Sequence, residues 1–271
     1  MTANELYKAG KLKEATEAQI QTVKHNPADH GQRLFLFELA AFAGDLDRAQ
    51  RQIDAVKYDE INLQMAVANY RKLIDSERKR RQLFSDGLKP KFLVEPPEHV
   101  QQRLDAINAL RDNQPAEAAK LLESANSASE SVPCLLNGKP VKGLRDGDDV
   151  FGSVLEGMAH GEYFWIPIEQ ISALAMNPPK FVRDLIWFPA RLEIEHAESG
   201  EIFLPALYPD SFAHEDDAIK LGRSTDWQEI ENGPIRGVGL RTFLVGEDAL
   251  SLLEWRELQG LGGSADESTE E

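Results

Sequence analysis

The sequence predicts an α+β protein, with an N-terminal helical-repeat domain followed by a small, mostly antiparallel β-domain with flanking helices. Three observations lead there. A short motif near the N-terminus recurs after 34 residues. The apolar spacing changes from helical to alternating beyond residue 133. The charge splits at the same region: residues 1–142 carry 21 Lys/Arg against 20 Asp/Glu, whereas 143–271 carry 9 against 26. The boundaries that follow are a helical domain at 1–125, a linker at 126–133, an acidic α+β domain at 134–262 and a disordered acidic tail at 263–271.

The helical half begins with MTANELYKAGKLKEA, an amphipathic helix without the apolar core of a signal peptide. No apolar run approaches the roughly 20 residues needed to span a bilayer, so a cytoplasmic location and no membrane partner are expected. Gly10-Lys11-Leu12-Lys13-Glu14-Ala15 returns as Gly44-Asp45-Leu46-Asp47-Arg48-Ala49. That period is the tetratricopeptide (TPR) period: a Gly closes one helix, a large apolar residue opens the next, and an Ala lets the two approach. A degraded third copy stands at Asn113-Gln114-Pro115-Ala116-Glu117-Ala118, and the intermediate copy is missing near Arg78, so the array is TPR-like. Leu46, Ala49, Ile53 and Val56 form one stripe, and Val100, Leu104, Ile107 and Leu110 form another. Leu34 to Phe42 is apolar nearly all round, which predicts a helix held between neighbours. Pro96-Pro97 and Pro115 sit at helix starts. Such arrays leave a concave face that commonly binds a peptide or a helix. The run Arg78-Lys79-Arg80-Arg81 is short for a nucleic-acid patch and reads as a solvated helix face, with an acidic partner or the acidic half of the chain as its alternative contacts.

Beyond the small polar stretch 124–133, Ala190, Leu192 and Ile194 alternate with Arg191, Glu193 and Glu195 as a half-buried strand. A turn at Ser199-Gly200 returns Ile202 to Leu207 as its hairpin partner. Tyr163 to Ile166 is a strand after the Gly161 turn. Arg236 to Val245 is another, with Gly237 and Gly239 marking a bulge or a close backbone approach. Asp248 to Leu258 reads as a closing helix. The negative charge of this half opposes binding to phosphate backbones, so no nucleic-acid partner is expected.

No catalytic, cofactor or metal site emerges. The six histidines lack ligand spacing, and the single Cys134 excludes an intramolecular disulfide or a multi-cysteine metal site. His214-Glu215-Asp216-Asp217 reads as a solvated acidic loop, and Asp146, Asp148 and Asp149 fail as a calcium loop at Val150. Gly222-Arg223-Ser224-Thr225 lacks the lysine and upstream glycine of a phosphate loop. One cluster remains: Asp184, Trp187, Arg223, Asp226 and Trp227. Arginine–aspartate pairs beside tryptophan suit a structural network or a partner-binding surface. The first is preferred, since RDLIW and GRSTDW read as paired fold-stabilising motifs.

Several blocks then occur together in order: Leu144 to Asp149, Leu155-Glu156, Gly161 to Pro167, Arg183 to Trp187, Phe203 to Tyr208, and Leu221 to Trp227. In this the chain resembles the ImpE/SciE/TagJ family, and with the repeats the resemblance covers nearly the whole sequence. It implies a non-catalytic accessory component of a bacterial type VI secretion system. It also implies a partner, an N-terminal helix of the small contractile-sheath subunit, and an indirect link to the AAA+ ATPase that recycles contracted sheath. The alternatives are a hydrolase-like enzyme working through the polar cluster, and a TPR regulator or chaperone unrelated to secretion.

Overall fold

A computed structural model describes residues 1–129, 133–195, 197, 199–246 and 248–261. The tail assigned to 263–271 and most of the C-terminal part of the linker lie outside the described residues. The first half is helical: α1 (Ala3–Lys8), α2 (Leu12–His25), α3 (His30–Phe42), α4 (Leu46–Asp54), α5 (Ile61–Asp86), α6 (Glu98–Arg111) and α7 (Pro115–Ala128). The repeat motif does what its residues require. Gly10 and Gly44 follow α1 and α3 with φ of 79° and 73°, a left-handed conformation that costs other residues about 1–2 kcal/mol. Leu12 and Leu46 open the next helices, and Ala15 and Ala49 are fully buried where the paired helices touch. In the degraded copy Asn113 takes the left-handed turn, with φ 56°, and Pro115 starts α7. The missing copy has a structural counterpart. One 26-residue helix, α5, runs through the position where a hairpin turn would fall.

Helix α3 buries every residue from Leu36 to Phe42, as its all-round apolar sequence predicts. Helix α7 continues through Ser124–Ala128, residues whose composition reads as linker. Ala125 is buried there, and Asn126 Oδ1 accepts from Arg103 Nη2 at 2.7 Å. Tertiary contact outweighs the modest helix propensity of serine and asparagine.

The second half contributes β1 (Cys134–Leu136), β2 (Lys139–Val141), β3 (Arg145–Asp146), β4 (Val154–Ala159), β5 (Glu162–Pro167), β6 (Ile171–Met176), β7 (Trp187–Ile194) and β8 (Gly200–Pro205). It continues with α8 (Asp217–Lys220), β9 (Thr225–Glu229), β10 (Ile235–Gly239), β11 (Thr242–Val245), β12 (Asp248–Ser251) and β13 (Glu257–Gly260). Eight strands form an antiparallel sheet in the order β2-β1-β13-β6-β7-β8-β4-β5, and two small sheets, β10-β9 and β12-β11-β3, lie beside it. The β7–β8 hairpin pairs Ala190 with Ile202 and Leu192 with Gly200. Both faces of the sheet carry core residues. Trp187 points to the helices and stacks on Phe37 at 6.0 Å, while the next residue, Phe188, joins the opposite core with Leu204, Phe243 and Trp255. The core on the helical side is continuous across both halves, joining Phe37 and Leu73 to Phe151, Trp165 and Trp187.

Two expectations are corrected here. Asp248 to Leu258 is not a closing helix but β12, a short 3-10 turn and β13. The slot decides: β13 fills the gap between β1 and β6, opposing Leu258 to Leu136 and Leu174, and completes two hydrogen-bond ladders that a helix would leave open. Arg236 to Val245 is two strands rather than one. Gly239, at φ 91°, sits so close to Ser224 O that a Cβ would fall 2.2 Å from it. The break there frees Arg241 from the strand pattern.

Gly44 tests the repeat geometry, because a Cβ on it would also meet Phe212 Cδ2 at 2.3 Å. Gly44→Ala is expected to lower stability by about 2 kcal/mol in urea titration. Asn113→Gly, at a comparable φ without that ring, should change it by less than about 0.5 kcal/mol.

Candidate functional site

Helix α5 carries the chemistry that joins the halves. Arg80 lies on the same side as Leu73 and Leu83 and is 4% exposed. Across the junction β4 alternates Val154, Glu156 and Met158 on one face, which places a carboxylate inside an apolar row. Arg80 closes on it bidentately, Nε to Oε1 at 2.7 Å and Nη2 to Oε2 at 2.6 Å, and also donates to Leu207 O at 2.8 Å. Arg241 Nη2 and Tyr163 OH donate to the same carboxylate, and Trp165 Nε1 donates to Tyr163 OH at 2.7 Å. Arg241 Nη1 then stands 3.3 Å from Asp146 Oδ2, whose Oδ1 accepts from Tyr208 OH at 2.7 Å.

Burial by itself raises the Glu156 carboxyl, but Arg80 and Arg241 outweigh it and hold the group below its ordinary value. Asp146 goes the other way. Burial pushes it up to about 7, Arg241 opposes, and the neighbouring Asp148 adds to the rise. Tyr163 and Tyr208 are both raised, first by burial and then by the carboxylate each one touches. The basic run is therefore not a solvated face. Arg80 is buried, Arg81 lies over Phe212 at 4.0 Å, Lys79 pairs with Glu162 at 2.7 Å, and Arg78 reaches Asp47 at 3.0 Å. A third buried arginine, Arg103, donates to Asp149 O at 3.1 Å and is lowered to about 10 by burial.

Beside this junction the surface opens. Ile61 and Met65 of α5 are 73% and 61% exposed, and helical spacing continues that stripe to Asn69 and Lys72. Asn69 and Lys72 line a pocket with His160 and Gly161 of the β4–β5 turn and with Glu201 and Phe203 of β8. Both turn residues have positive φ, 53° and 81°, the tight hairpin geometry that lets the turn come up against α5. Glu201 and Phe203 also line the adjoining pocket, which extends over Pro189, Arg191 and Asn177. The result is a trough with α5 as one wall and the part of the helix-facing side of β7–β8 that the helices leave uncovered as its floor.

The structure does not bring the five-residue polar cluster together. Asp184 Oδ2 accepts from the backbone of Lys180 and Phe181 at 2.9 and 3.0 Å. Trp187 is buried against Phe37. Arg223 Nη1 donates to Lys8 O at 3.0 Å, which ties the C-terminal half to the end of α1. Asp226 Oδ1 accepts from Trp227 N–H at 2.9 Å, and its other oxygen lies 4.0 Å from His214 Nε2. Trp227 is 39% exposed and leans on Tyr208 at 5.9 Å. Among the described residues no three His, Cys, Asp or Glu side chains converge as a metal site, and no helix is long and apolar enough to cross a membrane.

The profile of the ImpE protein family matches residues 138–259. A curated relative from Pseudomonas aeruginosa, the type VI secretion system accessory component TagJ, is 34% identical over 258 residues, covering 95% of this chain and 90% of the relative. The chain belongs to the ImpE/TagJ family. Its fold is also that of protein VPA1032 from Vibrio parahaemolyticus, solved by X-ray crystallography, with a TM-score of 0.88, 25% identity, and coverage of 97% of this chain and 98% of that one. The stretch matched by the ImpE profile holds Asp146, Glu156, Tyr208 and Arg241, whereas Arg80 reaches them from outside it.

Sequence reasoning missed this ion lattice, although signals for it were present. Arg80 and Arg103 each occupy a position on an apolar helical stripe, and Glu156 interrupts an apolar alternation in β4. A charge on a buried face implies a partner.

Glu156→Gln removes the carboxylate that two buried arginines share, leaving Arg80 only Glu77 at 3.6 Å and Arg241 only Asp146 at 3.3 Å, and is expected to cost about 3–5 kcal/mol in urea unfolding. Asp146 gives a pH signature. Its folded pKa lies above its unfolded value, so its contribution is complete below about pH 4 and is lost as pH rises through about 7. Asp146→Asn should gain on the wild type by on the order of 2 kcal/mol between those limits, read as the difference between urea curves at matched pH.

Proposed function

We propose that this ImpE/TagJ family chain is a non-catalytic accessory component of a bacterial type VI secretion system. It binds an N-terminal helix of the small contractile-sheath subunit and so modulates sheath assembly or recycling. The link to the sheath-recycling AAA+ ATPase is indirect, through that subunit. The open face of α5 carries this reading. Among the described helices α1–α7, the others form hairpins, α1 with α2, α3 with α4 and α6 with α7, while α5 has no hairpin partner and faces the trough. From Ile61 to Ser76 that face is about 22 Å long, room for a helix of roughly four turns. Its outer end is apolar and its inner end offers Lys72, which suits an amphipathic helix laid into a groove. The TagJ relative being an accessory component supports both the system and the non-catalytic role.

The hydrolase-like alternative needs Asp184, Arg223, Asp226 and a histidine in one pocket. Asp184 and Arg223 are instead engaged with separate backbone groups, at the Lys180–Phe181 turn and at Lys8. The reading of a TPR regulator unrelated to secretion is disfavoured by the named relative.

Calorimetry with a peptide of the sheath subunit's first ~20 residues should show binding, and Met65→Glu should weaken it by about tenfold or more. Absence of binding to the wild type would remove the sheath helix as partner. Unchanged binding by the variant would move the site away from α5.

A further inference from the structure

One outer edge of the large sheet is covered and the other is guarded. Along β5, Lys91 N–H donates to Tyr163 O at 2.8 Å and Lys91 O accepts from Trp165 N–H at 3.0 Å. At the other side β2 carries Lys139 and Pro140, residues that discourage further pairing. The two-stranded sheet differs. On its inner side each outward N–H of β10 is taken: Ile235 by Asp149 Oδ2, Gly237 by Asp148 Oδ2 and Gly239 by Ser211 Oγ, at 2.8, 2.9 and 2.8 Å. The odd-numbered residues of β10 thus turn their backbone groups away from β9. In the observed register, with Ile235 opposite Glu229, Gly237 opposite Trp227 and Gly239 opposite Thr225, the odd-numbered residues of β9 turn theirs to the outer side. Thr225, Trp227 and Glu229 therefore present N–H and C=O groups to an open edge. Among the described residues one of these groups meets a protein partner, Trp227 N–H on Asp226 Oδ1.

The side chains say what would pair there. Residues 225–235 include Asp226, Glu229 and Glu231 and contain no Lys, Arg or His. The next residue, Arg236, has its guanidinium on Asp148 at 2.9 Å. On one face of the hairpin Trp227 and Ile235 are 39% and 43% exposed, apolar surface that a merely solvated edge has no reason to keep. Two copies pairing through this edge would bring six carboxylates together, so the charge selects against a second copy and for a cationic partner. A cation beside the Trp227 ring gains further from the aromatic face.

We infer that the outer edge of β9 is a docking strip for a basic, extended segment of another protein, added as a third strand to the β9–β10 hairpin. The segment's main chain bonds to Thr225, Trp227 and Glu229, and its Lys or Arg side chains, on the face shared with Trp227, meet Glu229 and, just past the strand, Glu231. This surface shares no lining residue with the α5 trough and does not depend on the sheath-helix reading.

The test uses the full chain and a synthetic eight-residue peptide alternating Lys or Arg with Val or Thr. Two control peptides accompany it: one with Glu replacing each basic residue, and one N-methylated on the amides of one edge. Trp165, Trp187 and Trp255 are at most 2% exposed, so a binding-dependent change in tryptophan fluorescence reports on Trp227. The basic peptide should shift that emission and slow hydrogen exchange at the Thr225 and Glu229 amides by about tenfold or more. Glu229→Lys and Glu231→Lys, both at exposed positions, should each weaken binding by several fold, and the acidic and N-methylated peptides should not bind. The inference is overturned if the basic peptide leaves those amides unprotected at millimolar concentration, or if the N-methylated peptide binds equally. It is also overturned if the amides are protected without peptide in proportion to protein concentration, which would make the edge a contact between copies.

Discussion

Glu156 is a carboxylate removed from water, and two arginines from distant parts of the chain converge on it. Arg80 comes from the middle of α5 and Arg241 from the break between β10 and β11. Neither arginine has another full counter-charge as close, although Glu77 and Asp146 stand nearby at 3.6 and 3.3 Å. A buried ion set of this kind adds little net stability over an apolar core of the same shape, but it penalises any arrangement that separates its members. The helices and the sheet are therefore fixed in one register, and the stretch of α5 that precedes Arg80 is held beside β8.

The repeat turns serve the same end. In a free solenoid the left-handed glycines only connect helices, but here they are also points of attachment. Phe212 packs over Gly44, Asp217 Oδ2 accepts from the Leu12 N–H at 2.7 Å, and Arg223 reaches the carbonyl of Lys8 beside Gly10. Gly233 packs against Pro115 in the same manner. Three helical hairpins thus turn their ends onto the acidic half. This accommodates part of its large negative charge and leaves the unpaired α5 as the helical element facing the trough.

The acidic half divides its own surface in a comparable way. Its large sheet packs against helices on one face and against Phe243 and Trp255 on the other, with Lys91 covering the β5 edge and Lys139 and Pro140 guarding β2. The small β9–β10 sheet keeps an open edge because its inner side spends Asp148, Asp149 and Ser211 on β10, and among the described residues no strand pairs beyond β9. Charge that would oppose folding if concentrated in the core is displayed where it discourages self-pairing.

What the sequence determined by itself is local. The 34-residue recurrence, the left-handed Gly10 and Gly44, the apolar stripes of α4 and α6, and the β7–β8 hairpin follow from periodicity and turn chemistry, which act over a few residues. Tertiary structure decided whatever depended on a partner far along the chain. Arg80 became a buried ligand because Glu156 stands across the junction, 76 residues away. The stretch from Asp248 to Leu258 became strand because β1 and β6 left a slot whose hydrogen bonds needed it. RDLIW and GRSTDW each brace the helical half, Arg183 on Glu38 and Arg223 on Lys8, and do not pair with one another. The physical reason is common to all three. Spacing shows which side of an element is buried, but the energy of a buried charge or an open ladder is fixed by what the fold places opposite it.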